Sequence, residues 1–271
     1  MFNIDFKNKP TNFFQISSFS KRKNLDNYQL LKQAFDQKVL PEDNKELLMN
    51  FINIFKDQKN FQSQIYQDIC AILAVGENFD KTFLEFGATD GFNLSNSYTL
   101  ENDFKWKGVL SEPSPQWHES LKKNRLNSKI ITECIWKETG KKLDFFMSDL
   151  GELSTLNDFI DNDLDSMPGN TKQRKESGKL ISVNTISLND VIKEYFNNKC
   201  PSYISIDTEG SEYEILKAFN LDNYRPKLFT IEHNYTDNQS KIDELLTSNG
   251  YLRIFKKLTA FDAWYIPLEN L

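Results

Sequence analysis

Cysteine is scarce in this chain of 271 residues, confined to Cys70, Cys134 and Cys200, and no two of these form a C-x-x-C pair. That excludes a zinc knuckle, a thioredoxin-like redox pair and a disulfide framework, and leaves three reduced thiols. Histidine is scarcer still, with His118 and His233 alone. Ten Gly and eight Pro, with ordinary charge content, exclude collagen-like and broadly disordered classes. No G-x-G occurs anywhere, nor a GxxxxGK[ST] loop, so the dinucleotide fingerprint and the P-loop are both missing. Positive charge is in deficit, with 33 Lys and Arg against 39 Asp and Glu for a net charge of −6. Non-specific nucleic-acid binding, which depends on basic side chains neutralising phosphates, is therefore not expected. No apolar run approaches the roughly 20 residues of a membrane helix. The leading MFNIDFKNKPTNFF has no signal-peptide core and is broken by charge and Pro10, so the cytoplasm is the expected location.

What the chain does have is rings. Hydrophobic residues make up 39%, and aromatics 13%, with 22 Phe and 10 Tyr. Much of the core volume must come from them. The length suits one large domain, or one domain with an added segment.

Residues 1 to about 45 are polar, rich in Lys, Asn and Gln, and weakly patterned, and read as one or two helices (around 25–37) or a partly mobile stretch. From Glu46 the pattern sharpens. ELLMNFINIF and FQSQIYQDICAILAV put apolar residues such as Ile65, Ile69, Ile72 and Leu73 at helical spacing, predicting two helices. Short apolar runs follow, in KTFLEFGATDG, KGVLSEPSP, SKIITECIW, KLDFFMS, CPSYISIDTEG and KLFTIEHN, each closed by polar residues. Helix-like stretches at 95–104, 115–126, 211–219 and 238–248 lie between them. YLRIFKKLTAFDAWYIPL reads as two strands joined near Lys257–Thr259. The alternation predicts an α/β domain with a mostly parallel sheet over 61–271, preceded by an N-terminal helical extension over 1–60. Residues 149–180 carry Pro168, several Gly and many charges with little periodicity. They read as a flap near an active site or a mobile insertion.

In an open α/β sheet the ligand lies beyond the carboxyl ends of the strands, where strand order switches. The first clean strand runs into Glu85, Gly87, Asp90 and Gly91. The glycines permit a tight turn and close approach of backbone to a ligand, and a helix starting near 93–95 supplies amides. The next strand ends at Glu112, about 20 residues past Gly91, where nucleoside-binding α/β folds hold a ribose diol with a carboxylate. With Glu85 and Asp90 acidic and no phosphate loop, S-adenosylmethionine fits better than a pyrophosphate cofactor. It brings a ribose, an adenine, an ammonium and a sulfonium. The blander reading is a plain turn and a solvated strand-end Glu112.

Further on, SYISIDTEGSEYEIL places Asp207 at the end of a buried strand, followed by Glu209, Gly210 and Glu212. The strand after it ends at Glu232, His233 and Asn234. If the two are adjacent, at about 4.8 Å, Asp207 and Glu232 project into one crevice. Ser211 and Glu214 read as an S-x-x-E capping box, and the helix dipole would favour Glu212. His118, in SPQWHESL, reads as a surface residue.

FLEFGATDGFNLSNSYTLE, WKGVLSEPSP, and above all YISIDTEGSEYEIL followed by IEHN resemble the FkbM family of S-adenosylmethionine-dependent methyltransferases. The likeness spans roughly residues 62–266, with SQIYQDICAIL similar to the helix leading into the family's fold. It is weak over 135–180 and absent from 1–60. It implies a class I methyltransferase fold, a Rossmann-like seven-stranded, mostly parallel sheet flanked by helices. It also implies O-methylation, frequently of sugars in glycan or natural-product pathways. Carried over by motif, Glu85, Gly87, Asp90 and Gly91 would line the methionine end of the cofactor, with Ser95 and Asn96 adding contacts. Glu112 would hold the ribose, Glu133 and Cys134 would contact the adenine, and Asp207 would sit beside the transferring methyl.

Methyl transfer to a hydroxyl requires alignment of oxygen, methyl and sulfur, and removal of the hydroxyl proton. His233, with an unperturbed pKa of about 6.5, is the leading general base, beside Asp207 and Glu209. The other device is a divalent cation, Mg²⁺ or Mn²⁺, held by Asp207, Glu232, His233 and Asn234. The expected acceptor is a sugar nucleotide or a growing glycan, not nucleic acid, and a homo-oligomer stays open. The alternative is a catalytically silent nucleoside- or glycan-binding module on the same fold, against which the intact acidic set argues. A nicotinamide oxidoreductase is disfavoured by the missing G-x-G.

Overall fold

Apolar runs bounded by polar turns become strands, and the amphipathic stretches between them become helices. The structure, a computed structural model, describes residues 61–76, 79–162, 168–256 and 259–270, leaving aside the side chains of 168–170, 173 and 270. The helices expected at 25–37 and within 46–55, and the middle of the turn at Lys257–Thr259, lie outside the described residues. In chain order the elements are α1 (Gln67–Val75), β1 (Thr82–Phe86), α2 (Tyr98–Asn102), β2 (Lys107–Ser111), α3 (His118–Asn124) and β3 (Lys129–Ile131). Then come β4 (Cys134–Trp136), β5 (Lys142–Ser148), β6 (Thr155–Leu156), α4 (Pro168–Glu176), β7 (Gly178–Ser187) and α5 (Leu188–Tyr195). The chain closes with β8 (Tyr203–Ile206), α6 (Glu212–Lys217), β9 (Leu228–Glu232), α7 (Asn238–Ser248), β10 (Tyr251–Ile254) and β11 (Asp262–Pro267).

Seven strands form one sheet in the order β10-β11-β9-β8-β1-β2-β3. All run parallel except β11, which is antiparallel to both its neighbours. This is the seven-stranded, mostly parallel, Rossmann-like architecture that was expected. The order reverses at β1, which has β2 on one side and β8 on the other, so a crevice opens beyond the tips of β1 and β8. Strand residues alternate between two apolar layers. Leu84, Phe86, Ile204, Ile206, Phe229 and Ile231 pack on one face with α5, α6 and α7. Phe83, Tyr203 and Leu228 pack on the other with α1, α2 and α3. Burial on both faces explains why these strands read as unbroken apolar runs. Each fully buried Phe, Ile or Leu contributes about 1.5–3 kcal/mol, which holds the strand tips rigid beneath the crevice.

A second, four-stranded sheet, β4-β7-β5-β6, departs from expectation. SKIITECIW does not form one strand. It breaks at Thr132–Glu133, sending β3 to the main sheet and β4 to the second. Ser111 Oγ donates to the Glu133 carbonyl at 2.8 Å and satisfies the backbone at the break. β7 is long, pairing antiparallel with β5 from Lys142↔Asn184 to Ser148↔Gly178 and then parallel with β4. Within residues 149–180, read from the sequence as a flap near an active site or a mobile insertion, the described residues hold a turn at Gly151–Leu153, β6, α4 and the start of β7. Arg174, fully buried, ties this segment down. It donates from Nε to the Leu153 carbonyl at 2.7 Å, from Nη1 to the Ile160 carbonyl at 3.0 Å and from Nη2 to Glu209 Oε2 at 2.9 Å. No described helix is long and apolar enough to cross a membrane.

Candidate active site

The crevice is a cleft of about 340 Å³, within the size range of small-molecule sites. Its walls include three groups of residues. Glu85, Gly87, Thr89 and Glu112 come from the tips of β1 and β2, and Ser205, Asp207, Glu209 and Glu232 from the tips of β8 and β9. Residues 151–154 and Leu156 form the third wall.

The glycine turn is built mainly for the protein's own packing. Gly87 has φ of 78°, and a Cβ there would lie 1.8 Å from the Asp207 carbonyl oxygen. Gly91, at φ 72°, would drive a Cβ to 2.5 Å from Leu121 and 2.7 Å from Arg125. Gly91 lines no part of the cleft. Asp90 also stays out of it. Its Oδ1 accepts from the amides of Phe92 and Asn93, both at 2.8 Å, so this carboxylate closes the turn. Glu85 reaches the cleft wall, yet both its oxygens are engaged. Oε1 accepts from the Asn96 amide at 2.8 Å and from Ser95 Oγ at 3.2 Å, and Oε2 accepts from Ser97 Oγ. Behind it Arg125, 2% exposed, bonds Glu101, the Gly91 carbonyl, Ser95 and Ser97, with Nη1 3.7 Å from Glu85. Arg125 is the keystone that the sequence did not reveal, because a lone Arg at a helix end looks like any surface cation.

Ser95 and Asn96 do line the cleft. Asn96 Nδ2 donates to Ser205 Oγ at 2.9 Å, while its buried Oδ1 has no hydrogen-bond partner among the described residues. Ser205 belongs to a polar row crossing the sheet, where Glu85, Ser205 and Thr230 are aligned in register. A Ser inside the fully buried strand YISI is the feature of the sequence that marks this row.

Glu112 stands at the tip of β2 with Oε2 accepting from the Thr89 amide at 2.9 Å and Oε1 from the Ser114 amide at 2.8 Å. Burial pushes its carboxyl up to about 7, against those two bonds, which favour the charged form. Cys134 lines the cleft with Ile135, Phe145 and Pro113, whereas Glu133 does not. The break between β3 and β4 turns Glu133 away, and its Oε2 accepts from the Thr132 amide at 3.1 Å. His118 is not a bare surface residue, since its Nε2 meets the Glu112 carbonyl at 2.8 Å.

At the far end, Asp207, Glu209 and Glu232 each offer an oxygen within 4.8 Å of the others. Asp207 and Glu232 are hydrogen-bonded to each other, a contact between two carboxyls that requires one shared proton; burial raises both, with the charges of Glu212, Glu85 and Glu112 adding at Asp207 and that of Asp207 adding at Glu232. Glu209, at φ 58°, turns to Arg174. The expected Ser211–Glu214 capping box does not form. Ser211 Oγ donates to Thr208 Oγ1 at 2.8 Å and makes no cap bond. Glu212 Oε1 does the tying instead, accepting from the amides of Thr208 and Gly210 and from Thr208 Oγ1, each at 2.9 Å. Asn234 lines the cleft, but His233 does not. The Tyr235 amide donates to His233 Nδ1 at 3.0 Å, which puts the ring proton on Nε2, donated to the Asp262 carbonyl at 3.1 Å. Burial, then the nearby Arg253 charge, pushes His233 down to about 4. With both nitrogens committed and the ring 2% exposed beneath the tip, it is not positioned as a base or a metal ligand.

Several solved structures resemble this one distantly. A precorrin-6Y C5,15-methyltransferase from Geobacter metallireducens is 11% identical, with TM-score 0.39, covering 73% of this chain and 85% of that one. A fibrillarin/NOP5P complex is 10% identical, with TM-score 0.38 and coverage of 76% and 80%. The Methanococcus jannaschii fibrillarin, a pre-rRNA processing protein, is 11% identical, with TM-score 0.36 and coverage of 76% on both sides. No curated protein matches the sequence. The family model of the methyltransferase FkbM domain, by contrast, matches residues 85–253, more than half of the chain and every strand tip that walls the cleft. The chain belongs to the FkbM methyltransferase family.

Proposed function

We propose that this methyltransferase uses S-adenosylmethionine to methylate a hydroxyl of a sugar or glycan precursor. The observation that carries the reading is the hydrogen-bonded carboxyl pair Asp207–Glu232, which lines one cleft with Glu112 and Asn96. The residues present fit the cofactor. Glu112 is held by two backbone amides with lone pairs left for a ribose diol. The orphan Asn96 Oδ1 calls for a donor such as an ammonium. Ile135, Phe145 and Pro113 offer apolar walls for an adenine. Bound S-adenosylmethionine supplies a methyl group on a positively charged sulfur, ready for in-line displacement by an oxygen. Asp207 and Glu232 then act on the acceptor. With the pair singly protonated, its ionised oxygen accepts a hydrogen bond from the acceptor hydroxyl, orients it, and takes its proton as the oxygen attacks. Burial keeps the pair basic enough for that step near neutral pH.

A second reading is favoured by the spacing of Asp207, Glu209 and Glu232, which could hold a divalent cation. The ligand set would then include Glu209 in place of His233. One experiment separates the readings. Asp207→Asn, assayed with and without excess chelator beside wild type, should lose about 10²–10⁴ in turnover while retaining S-adenosylhomocysteine binding. Chelator should leave wild-type turnover unchanged. Loss in chelator restored by Mg²⁺ or Mn²⁺ selects the metal reading, and wild-type turnover in Asp207→Asn removes the base.

A further inference from the structure

The charge of the cleft wall is one-sided. Asp207, Glu209 and Glu232 stand at its β8–β9 end, Glu152 lies on the wall formed by residues 151–154, and among the described residues no Lys, Arg or His lines any part of it. Arg174, 2.9 Å from Glu209, is turned to that carboxylate. Glu152 is exposed on the opposite wall, and no ion pair meets it among the described residues. Glu232 Oε2 is buried with no hydrogen-bond partner among the described residues. An unpartnered carboxylate oxygen calls for a donor. A hydroxyl or an ammonium supplies one, whereas an ionised phosphate or carboxylate has acceptors only.

We propose that the acceptor enters this end as a neutral or amine-bearing polyol, and that a phosphate or carboxylate near the reacting hydroxyl excludes a molecule from the cleft. An anion placed there would lose its hydration to a wall that offers it no cation, and like charges brought together oppose binding. The expectation of a sugar nucleotide narrows accordingly, because such a donor fits only with its diphosphate held outside the cleft. This deepens the sugar-methylation reading and rests on it.

The test uses four probes matched in size: the methyl glycosides of glucose, glucosamine and glucuronic acid, and glucose 6-phosphate. Each is titrated by ligand-observed NMR into the chain loaded with S-adenosylhomocysteine, and methyl transfer from S-adenosylmethionine is assayed in parallel. The neutral and amino glycosides should bind at least about tenfold tighter than the two anions, which is one decade in Kd. Glu152→Lys, which lies outside the proton-holding pair, should narrow that gap. Anions binding as tightly as the neutral glycoside, or an unchanged gap in Glu152→Lys, overturn the proposal. The expected ranking without methyl transfer leaves the charge preference standing and removes the methylation reading. No binding by any probe removes both.

Discussion

At Gly87 the tips of β1 and β8 approach so closely that one methyl group decides whether they can meet. Its φ of 78° is costly for any side chain, and the Asp207 carbonyl occupies the space a Cβ would need. Gly87→Ala should therefore shift β1 against β8 and spread the carboxylates. We expect at least about 2 kcal/mol of lost stability, or roughly 4–8 °C in Tm by calorimetry, together with weakened S-adenosylhomocysteine binding. An unchanged Tm would contradict the assignment. The same scale explains His233. A histidine next to an acidic strand tip looks like a base, but only the fold could reveal that the Tyr235 amide and the Asp262 carbonyl occupy both its nitrogens.

Among the elements, the segment between β5 and β7 matters most for function, since its residues 151–154 and Leu156 wall the cleft. It is held by side chains rather than by a core of its own. Arg174 joins Leu153, Ile160 and Glu209, and Thr155 Oγ1 donates to the Glu209 carbonyl at 2.9 Å. Breaking a buried ion pair costs about 3–5 kcal/mol, here charged to local opening. In Arg174→Ala, amide exchange over residues 151–156 should accelerate by about a hundredfold or more. KM for the acceptor should rise while S-adenosylhomocysteine affinity stays near wild type. Glu209→Gln, which keeps a hydrogen bond and removes the charge, should fall between the two. Exchange rates unchanged in Arg174→Ala would show that the wall holds without the clasp.

For the whole molecule, the concentration of buried acid sets the pH dependence of stability. Burial pushes Asp68 up to about 6, and Glu112 and Asp262 each up to about 7. In the folded chain these groups keep protons that the unfolded chain has already released, so stability falls as pH rises from about 4 toward 7. His233, pushed down to about 4, acts in the opposite sense and loses stability as pH falls through its window. Three carboxyls outweigh one histidine. The Tm should be higher near pH 5 than near pH 7.5, and a Tm that climbs across that range would refute the balance.

The sequence by itself determined the α/β class, the strand positions and the acidic strand tips. Unbroken apolar runs ending in Gly, Asp and Glu are a local signal, set by burial on both faces and by turns at the tips. It also carried the family through DTEGSEYEIL and the glycine turn, since those residues are contiguous. Only the tertiary structure decided which of the candidate residues face the cleft. Asp90, Glu133 and His233 sit within a residue or two of cleft-lining neighbours and yet turn to backbone partners, while Gly91 packs against Leu121 and Arg125. The second sheet and the Arg125 and Arg174 anchors were likewise hidden, because they rest on contacts between residues distant in the chain, such as Arg125 with Glu85 and Arg174 with Glu209. A residue's type and spacing place it on a strand tip. Whether its polar atoms remain free for a ligand depends on the partners the fold brings to it.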